Sequence, residues 1–362
     1  MATEADTVYA LDAGTGRVLW RQHLGPPVPG SSLPCGDIDP SGITGTPVLD
    51  PSSGVLWVVA FVSPGHHDLV GLRAADGSVL SRRGVDPPGA DPLVEQQRGA
   101  LALVGAVVYV PFGGLYGDCG AYHGFVVGLP AAGAGSMRVW QAPTSREGGV
   151  WAPPGPVVDS AGDLWVATGN SESTTAFDDG DAVVRLSPDL VQEDVFAPGD
   201  WASLNVADAD LGSTSPALLP GGRVLQVGKQ GIGYLLSSSH AGGVGGELFQ
   251  ARVCQSAFGG TAVSGSTAYV PCRDGIAAVT VGGSGFSLRW HAAASDAGTP
   301  VVAGGVVWEL GADGTLLGFD QASGAVRARL GLGTTVHFPA VSVAGGQLFA
   351  PTGDTVQAFG GV

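Results

Sequence analysis

The chain has 362 residues, of which 61 are Gly and 25 are Pro, so close to a quarter of the positions are residue types that interrupt helices. This composition excludes a mainly helical fold. Hydrophobic residues make up 44% and charged residues 13%, which excludes a disordered chain and allows a large core. Acidic residues outnumber basic ones 32 to 16, and no run of Lys or Arg offers a track for phosphates. We therefore expect neither nucleic acid nor an anionic membrane as a partner.

The first predicted elements are two strands within Val8 to Trp20 (VYALDAGTGRVLW), and the rest of the chain repeats one pattern seven times. Each copy has a small or apolar strand, a tight turn and a second strand rich in Val, Leu and aromatic residues. In chain order the copies are GTPVLDPSSGVLWVVA from Gly45, GALALVGAVVYVPFG from Gly99, GPVVDSAGDLWVAT from Gly155, SPALLPGGRVLQVG from Ser215, GTAVSGSTAYVPC from Gly260, GTPVVAGGVVWELG from Gly298 and PAVSVAGGQLFAPTG from Pro339. The pattern predicts an all-β fold.

A second hairpin follows most copies, as in LVGLRAADGSVLS from Leu69, so each repeat carries four short strands, called A, B, C and D. Period and strand count predict a β-propeller with four-stranded blades that extends over residues 1–362 as a single domain. The N-terminal segment supplies strands C and D, and residues 339–353 supply A and B. We therefore expect residues 1–24 and 335–362 to share one blade and to close a propeller of seven blades. Thr355 to Phe359 looks like a further strand C, which leaves eight blades as the alternative.

The uncharged, largely apolar stretch from Gly99 to Gly117 is long enough to raise the question of a membrane span. Its glycines and Pro111 predict two short strands and a turn instead. The N-terminal residues show no basic region followed by an apolar core, so they do not resemble a secretion signal. We expect either a mature exported protein or, as the alternative, a cytoplasmic one.

Four cysteines, an even number without the CxxC spacing of zinc sites, favour disulfides and an extracellular or secreted protein. Cys254 stands just before a strand A, and Cys272 ends the strand B of the same hairpin. Cys35 precedes the strand A that follows Gly45, and Cys119 lies in the B-to-C link of the next blade. We predict the pairs Cys35–Cys119 and Cys254–Cys272, because both can approach bridging distance. The alternative is four free thiols in a cytosolic protein.

The string ALDAGTGRVLW at Ala10 to Trp20 resembles the repeat A-x-D-x-x-T-G-x-x-x-W of quinoprotein-type propellers. That family includes the pyrroloquinoline quinone (PQQ) dehydrogenases and a barrel-assembly lipoprotein. Two longer strings, CGDIDPSGITGTPVLD from Cys35 and REGGVWAPPGPVVD from Arg146, are similar to exported actinobacterial proteins with PQQ-like repeats. The resemblance covers nearly the whole chain and implies the propeller fold rather than a reaction.

The PQQ dehydrogenases of this family hold their cofactor beneath a disulfide between adjacent cysteines and bind calcium near it. No adjacent cysteines occur in this sequence. We therefore assign no cofactor, and PQQ and calcium are the alternatives that the resemblance implies.

Loop lengths indicate where a ligand would bind. Strands of a blade alternate in direction, so the D-to-A and B-to-C links emerge on one side and the A-to-B turns on the other. The A-to-B turns are minimal, whereas the links at 25–44, 84–98, 142–154 and 197–213 (D to A) and at 62–68, 112–123 and 169–180 (B to C) are long. Long loops on a rigid scaffold carry binding and catalytic groups. The sequence therefore predicts the site on the long-loop side, at a central funnel.

The polar and aromatic residues of these links are the candidate site. The candidates for catalysis by proton transfer are His337, Glu147, Asp210 and Lys229, the only lysine. The candidates for ligand binding, which include arginines for an anionic group, are Gln97, Arg98, His123, Arg146, Trp151, Asn170, Phe258 and Asp37. The alternative is structural, because loop aspartates cap turns and Arg–Glu pairs tie loops together.

Metal binding stays open at this stage. Adjacent His66 and His67 point apart in an extended loop, and the acidic residues Asp178, Asp179 and Asp181 do not fit a complete calcium loop. The leading hypothesis is an exported, monomeric propeller that binds a small polar molecule in its funnel, with acid–base catalysis as an option. The alternatives are a PQQ-dependent oxidoreductase and a non-enzymatic scaffold for protein interactions.

Overall fold

A computed structural model describes residues 1–131, 133, 135–335 and 338–361. Over these residues the chain forms 32 strands of two to eight residues, one short α-helix and two 3-10 turns. The frequent Gly and Pro residues keep the strands short. The chain divides into two compact units, Met1–Glu193 and Asp194–Val362. Each unit is built from four small sheets in sequence, so the described part of the chain is a β-propeller with eight blades.

All the strand pairs described in the first unit are antiparallel. Its first and second sheets are β1 (Ala2–Thr3), β2 (Thr7–Leu11) and β3 (Val18–His23), then β4 (Val48–Asp50), β5 (Val55–Val62), β6 (His66–Arg73) and β7 (Val79–Gly84). Its third and fourth sheets are β8 (Glu95–Gln96), β9 (Ala102–Val104), β10 (Val107–Gly114), β11 (Phe125–Pro130) and β12 (Arg138–Gln141), then β13 (Val157–Val158), β14 (Leu164–Ala167) and β15 (Val183–Leu186). A 3-10 turn, Gly30–Ser32, lies in the link after β3.

The boundary between the two units falls within strand β16 (Gln192–Ala197), which pairs in parallel with β20 (Gly243–Val244). The link after β16 contains α1 (Trp201–Ala207) and a 3-10 turn (Leu211–Ser213). The first sheet of the second unit contains β17 (Ala217–Leu219), β18 (Arg223–Val227), β19 (Ile232–Ser237) and β21 (Phe249–Arg252), and the second contains β22 (Ala262–Ser264), β23 (Thr267–Cys272), β24 (Gly275–Val281) and β25 (Phe286–Ala292). The third sheet contains β26 (Val301–Ala303), β27 (Val306–Leu310), β28 (Thr315–Asp320) and β29 (Val326–Gly331), and the fourth contains β30 (Ser342–Ala344), β31 (Gln347–Thr352) and β32 (Thr355–Gly360).

The core lies between neighbouring sheets, which pack face to face. In the first unit, Val59 and Leu69 of the second sheet share one buried cluster with Val110 and Phe125 of the third. In the second unit, Leu225 of its first sheet and Val270 of its second share another. Alternating side chains fill both faces of each middle strand, and this double burial explains the continuous apolar runs in strands B and C.

The seven predicted A–B hairpins are confirmed, and Gly99 to Gly117 forms two strands, β9 and β10, as predicted. Among the described residues, no helix is long and apolar enough to cross a membrane. The disulfides Cys35–Cys119 and Cys254–Cys272 are also confirmed, with Cα atoms 6.1 and 6.3 Å apart.

The prediction of seven blades with a shared terminal blade is wrong, and the eight-bladed alternative is confirmed. Ala2 and Thr3 fold back as β1 and pair with β2, so the N-terminal sheet has three strands of its own. Residues 355–360 form β32, which pairs with β31 and completes a separate three-stranded sheet. Each terminal sheet therefore takes all its strands from one end of the chain, whereas the prediction combined strands from both ends in one sheet. The single-domain organisation over residues 1–362 stays a prediction.

Candidate functional site

The long links of the first unit contact one another through their backbones. Segment 142–154 lies between the B-to-C links 112–123 and 169–180: the Glu147 N–H donates to the Tyr122 carbonyl at 2.8 Å, and the Gly148 N–H donates to the Asn170 carbonyl at 2.8 Å. The Glu147 carbonyl of the same segment accepts a hydrogen bond from the Gly124 N–H at 3.1 Å. The sheets thus hold three loops that are distant in sequence in one hydrogen-bonded layer, which we call the loop layer.

Glycine makes the loop layer possible. A Cβ on Gly124 would lie 1.9 Å from the carbonyl oxygen of Gly148, and a Cβ on Gly113 would lie 3.2 Å from the Cα of Gly149. No Cβ atom fits 1.9 Å from an oxygen, so the backbones at Gly124 and Gly148 approach as closely as only a glycine at position 124 permits. Glu147 itself has a φ of 69°, a left-handed conformation that non-glycine residues adopt where their surroundings hold them.

Arg146 and Glu147 tie the loop layer together. Arg146 Nη1 lies 2.6 Å from Glu147 Oε1 and 2.8 Å from Glu172 Oε1, and its Nε donates to the Gly120 carbonyl at 2.7 Å. Asn170 Nδ2 donates to the other Glu147 oxygen at 3.3 Å. The structure therefore brings three predicted site residues into one charged network, in which Glu147 is buried and Arg146 and Asn170 are half-buried. Such a network positions loops, and its carboxylate is already engaged by a cation.

Arg98 and Trp151 form a second feature of the same layer. The guanidinium carbon of Arg98 lies 4.9 Å from the centre of the Trp151 ring, which is cation–π distance. Both side chains are half-buried, so each keeps a solvent-facing part. Gln97, next in the chain, is buried and donates to the Gly99 carbonyl at 2.6 Å, which fixes the backbone before strand β9.

His123 lies against a buried carboxyl group, Glu95, that the sequence places in the same link as Arg98. The His123 backbone N–H donates to Glu95 Oε1 at 3.0 Å, and Glu95 is 1% exposed. Burial raises the pKa of Glu95 to about 8, so this group is protonated at neutral pH. Within the described residues, Glu95 Oε2 and His123 Nδ1 are enclosed and have no hydrogen-bond partner.

Sequence analysis assigned no role to Glu95. Its sequence signal was position alone, three residues before Arg98 in a D-to-A link. Asp37 is exposed, and its link is fastened by the Cys35–Cys119 disulfide to the link that contains His123.

The second unit holds the remaining predicted site residues. Lys229 Nζ pairs with Asp208 at 2.8 Å and with Asp210, which is 3% exposed. Burial acts to lower the pKa of Lys229, but the two carboxylates outweigh it and the pKa is raised. Lys229 is therefore an ammonium ion at neutral pH. The Phe258 ring lies 6.1 Å from the Phe338 ring. His337 lies outside the described residues.

The acidic residues considered for calcium have protein partners. Asp178 accepts a hydrogen bond from the Ser171 hydroxyl at 2.8 Å, and Asp179 accepts one from Gln192 at 2.7 Å. In the described part of the chain, one group of three His, Cys, Asp or Glu residues has ligand atoms close enough for a shared metal ion: Cys254, Cys272 and Asp274. Those two cysteines form a disulfide and offer no thiolate.

Comparison with protein families gives a match over residues 1–192 to the family described as outer membrane protein assembly factor BamB. Because this match spans more than half of the 362 residues, the chain belongs to that family of PQQ-like propellers. No curated protein matches the chain.

Solved structures show the same fold. BamB from Moraxella catarrhalis is 15% identical, with a TM-score of 0.63, 99% of this chain covered and 89% of the other. The quinohemoprotein alcohol dehydrogenase from Comamonas testosteroni is 16% identical, with a TM-score of 0.69 and coverage of 96% and 68%. A europium-containing methanol dehydrogenase is 14% identical, with a TM-score of 0.70 and coverage of 96% and 79%. At these identities the likeness shows the fold alone.

The residues of this chain do not fit the PQQ site that the family resemblance implies. All four cysteines are used in bridges between residues 84 and 18 positions apart, so no bridge joins adjacent cysteines.

Proposed function

We propose that the loop layer of the first unit binds a small polar molecule that carries an anionic group. The observation that supports this most strongly is the stacking of Arg98 on Trp151. A guanidinium resting on an aromatic ring is held in a fixed plane, and a planar guanidinium matches a carboxylate in geometry and charge. Arg146 suits this role less well, because Glu147 and Glu172 already neutralise it.

Acid–base catalysis is the second part of the proposal. Glu95 is protonated at neutral pH because burial raises its pKa to about 8, so it is able to donate a proton near that pH. His123 contacts it through the backbone and adds an imidazole to the same region. Glu147, Asp210, Lys229 and His337 remain proposed catalytic residues.

The protein is proposed to work outside the cytoplasm as a monomer. Its two disulfides are consistent with an oxidising compartment, the extracellular space or the periplasm. Native mass spectrometry of protein purified under mild conditions tests the binding proposal. We expect a bound small molecule in the wild-type protein that is lost in Arg98→Leu. Recovery of the same bound molecule from Arg98→Leu would contradict it.

The PQQ alternative makes a different prediction, which titration of the protein with PQQ and calcium tests. Because no adjacent-cysteine disulfide is present, we expect no submicromolar complex and no alcohol-dependent dye reduction. A submicromolar complex with dye reduction would establish the oxidoreductase and overturn our assignment.

A protein-interaction scaffold is the second candidate function, and one observation favours it. The outer strands β3 and β7 expose apolar side chains: Val18 is 50% exposed, Leu19 54%, Val79 47% and Leu80 46%. A contiguous exposed apolar patch is typical of surfaces that contact other proteins, and in this proposal the four side chains form such a patch. In this case Leu19→Asp and Leu80→Asp would abolish capture of a partner protein and leave the binding of small carboxylates unchanged.

A further inference from the structure

The second unit contains a cavity of about 690 Å³ that none of the predicted site residues lines. Its walls are strands β19 and β21 and the links before α1 and before β21, and the polar lining residues are Asp200, Gln230, Tyr234, Glu247 and Gln250. The volume falls within the range of small-molecule sites in proteins. The cavity belongs to one unit and is independent of the loop layer and of its proposed ligand.

One wall of the cavity carries a chain of hydrogen bonds. The Tyr234 hydroxyl donates to Gln230 Oε1 at 3.2 Å, and Gln230 Nε2 donates to Asp200 Oδ2 at 3.1 Å. Tyr234 is 2% exposed and its ring lies 5.5 Å from that of Phe196. Burial of Tyr234 holds this end of the wall in place, which lowers the entropy cost of binding there.

The charge of the lining is acidic. Asp200 and Glu247 line the cavity, and the residues described as lining it include no Lys, Arg or His. Glu247 Oε2 is enclosed and has no hydrogen-bond partner within the described residues. Arg252 is the nearby cation, and its Nη1 donates to the carbonyls of Gln230 and Cys254 at 3.3 and 3.1 Å. Two carboxylates in a lining without a cationic side chain favour a positively charged ligand.

The chemistry of the lining favours an organic cation over a metal ion. Asp200 and Glu247 do not belong to any group of three His, Cys, Asp or Glu ligands within the described residues. Calcium requires six to eight oxygen ligands, whereas an amine or guanidine needs one or two carboxylates and a few neutral acceptors. We propose that this cavity binds an organic cation, an amine or a guanidine, whose charged group pairs with Asp200 and Glu247.

Isothermal titration of the full chain with 1,4-diaminobutane tests this proposal. We expect saturable binding by the wild-type protein, at least tenfold weaker binding by Asp200→Asn and by Glu247→Gln, and no binding of the neutral analogue 1,4-butanediol. The matched control is Asp354→Asn, an exposed carboxylate of the same unit, which should bind as the wild type does.

Thermal melting shows whether each variant folds. The dependence of diamine binding on salt concentration tests the proposal in the wild-type protein alone. Raising NaCl from about 50 to about 500 mM should weaken binding of the diamine severalfold, because the attraction is between charges. The proposal is overturned by any of four results: no saturable binding of the diamine, equal binding of the diol, binding insensitive to salt, or wild-type affinity in either cavity variant that folds. Equal weakening in Asp354→Asn would overturn it as well.

Discussion

The guanidinium of Arg98 lies 4.9 Å from the centre of the Trp151 ring, although the two residues are 53 positions apart in the sequence. Arg98 ends the D-to-A link 84–98 before β9, and Trp151 lies within the corresponding link 142–154 before β13. Contact between side chains from the links of two successive repeats shows how the repetitive fold builds a site. The sheets are alike, and the links between them carry the chemistry.

Replacement of Gly124 by Ala tests whether the loop layer depends on close backbone approach. The new Cβ would lie 1.9 Å from the Gly148 carbonyl oxygen, so the loops must separate. We expect a loss of about 1–3 kcal/mol in the free energy of unfolding, measured by urea denaturation. The control is Gly84→Ala, where no atom lies within 4 Å of the added Cβ. Equal stability of Gly124→Ala and Gly84→Ala would show that the layer relaxes freely.

Glu309 of β27 gives a prediction for pH dependence. It is 0% exposed and accepts the Gly298 N–H at 3.3 Å, and burial raises its pKa from 4.5 to about 8. The folded state therefore holds a proton that the unfolded state loses above about pH 4.5, so stability is highest below that pH and falls as the pH rises toward 8.

Glu309→Gln removes this titration while keeping the shape of the protonated side chain. We expect nearly equal stability of wild type and variant at about pH 5, and a variant more stable by a few kcal/mol at about pH 9. Urea midpoints at the two pH values measure this difference. Asp354→Asn, at an exposed position, should leave the pH profile unchanged. A Glu309→Gln profile parallel to the wild type would exclude Glu309 as a source of the pH dependence.

The ion pairs of Lys229 predict unequal effects of two substitutions. Lys229→Met leaves the buried carboxylate of Asp210 without its cation, and we expect a loss of about 3 kcal/mol in stability. Asp208 is 67% exposed, so Asp208→Asn should cost no more than about 1 kcal/mol. Thermal and urea denaturation measure both. Similar losses in the two variants would mean that Asp210 is stabilised by other groups.

The two disulfides should differ in their contribution to stability. They close loops of 84 and 18 residues, and the entropy that a crosslink removes from the unfolded chain grows with the loop. We expect losses of about 4 kcal/mol for Cys35→Ala with Cys119→Ala, and about 3 kcal/mol for Cys254→Ala with Cys272→Ala. Peptide mapping without reductant checks the pairing itself, and four alkylatable thiols in exported protein would contradict it.

The sequence predicts the strands and the disulfides well, because both depend on short patterns. Alternating apolar residues and glycine turns define each hairpin locally, and Cys254 and Cys272 stand at the two ends of one hairpin. The number of blades depends on which strands pair at the two ends of the chain, and this pairing is not a local property of the sequence. Two residues at the N-terminus, Ala2 and Thr3, formed a strand too short to recognise in the sequence.

The site was only partly predictable for a similar reason. Arg146 and Glu147 are adjacent in sequence, so their pairing was foreseeable, but the stacking of Arg98 on Trp151 requires knowledge of how successive links meet. Glu95 lies among the polar residues of the long links but was given no role, and Glu309 was not singled out, because an isolated glutamate gives no sign of burial. Helix α1 was also missed, since seven residues are too few for a periodic pattern.

The central claim is that the loop layer binds an anionic small molecule through Arg98, and titration calorimetry with a panel of mono-, di- and tricarboxylates tests it most directly. We expect at least one saturable ligand for the wild-type protein and affinity reduced at least tenfold in Arg98→Leu. Replacement of Arg17, an exposed arginine in the β2–β3 turn, by Leu should leave the affinity unchanged. Binding that survives unchanged in a folded Arg98→Leu protein, or the absence of any saturable carboxylate, would contradict it.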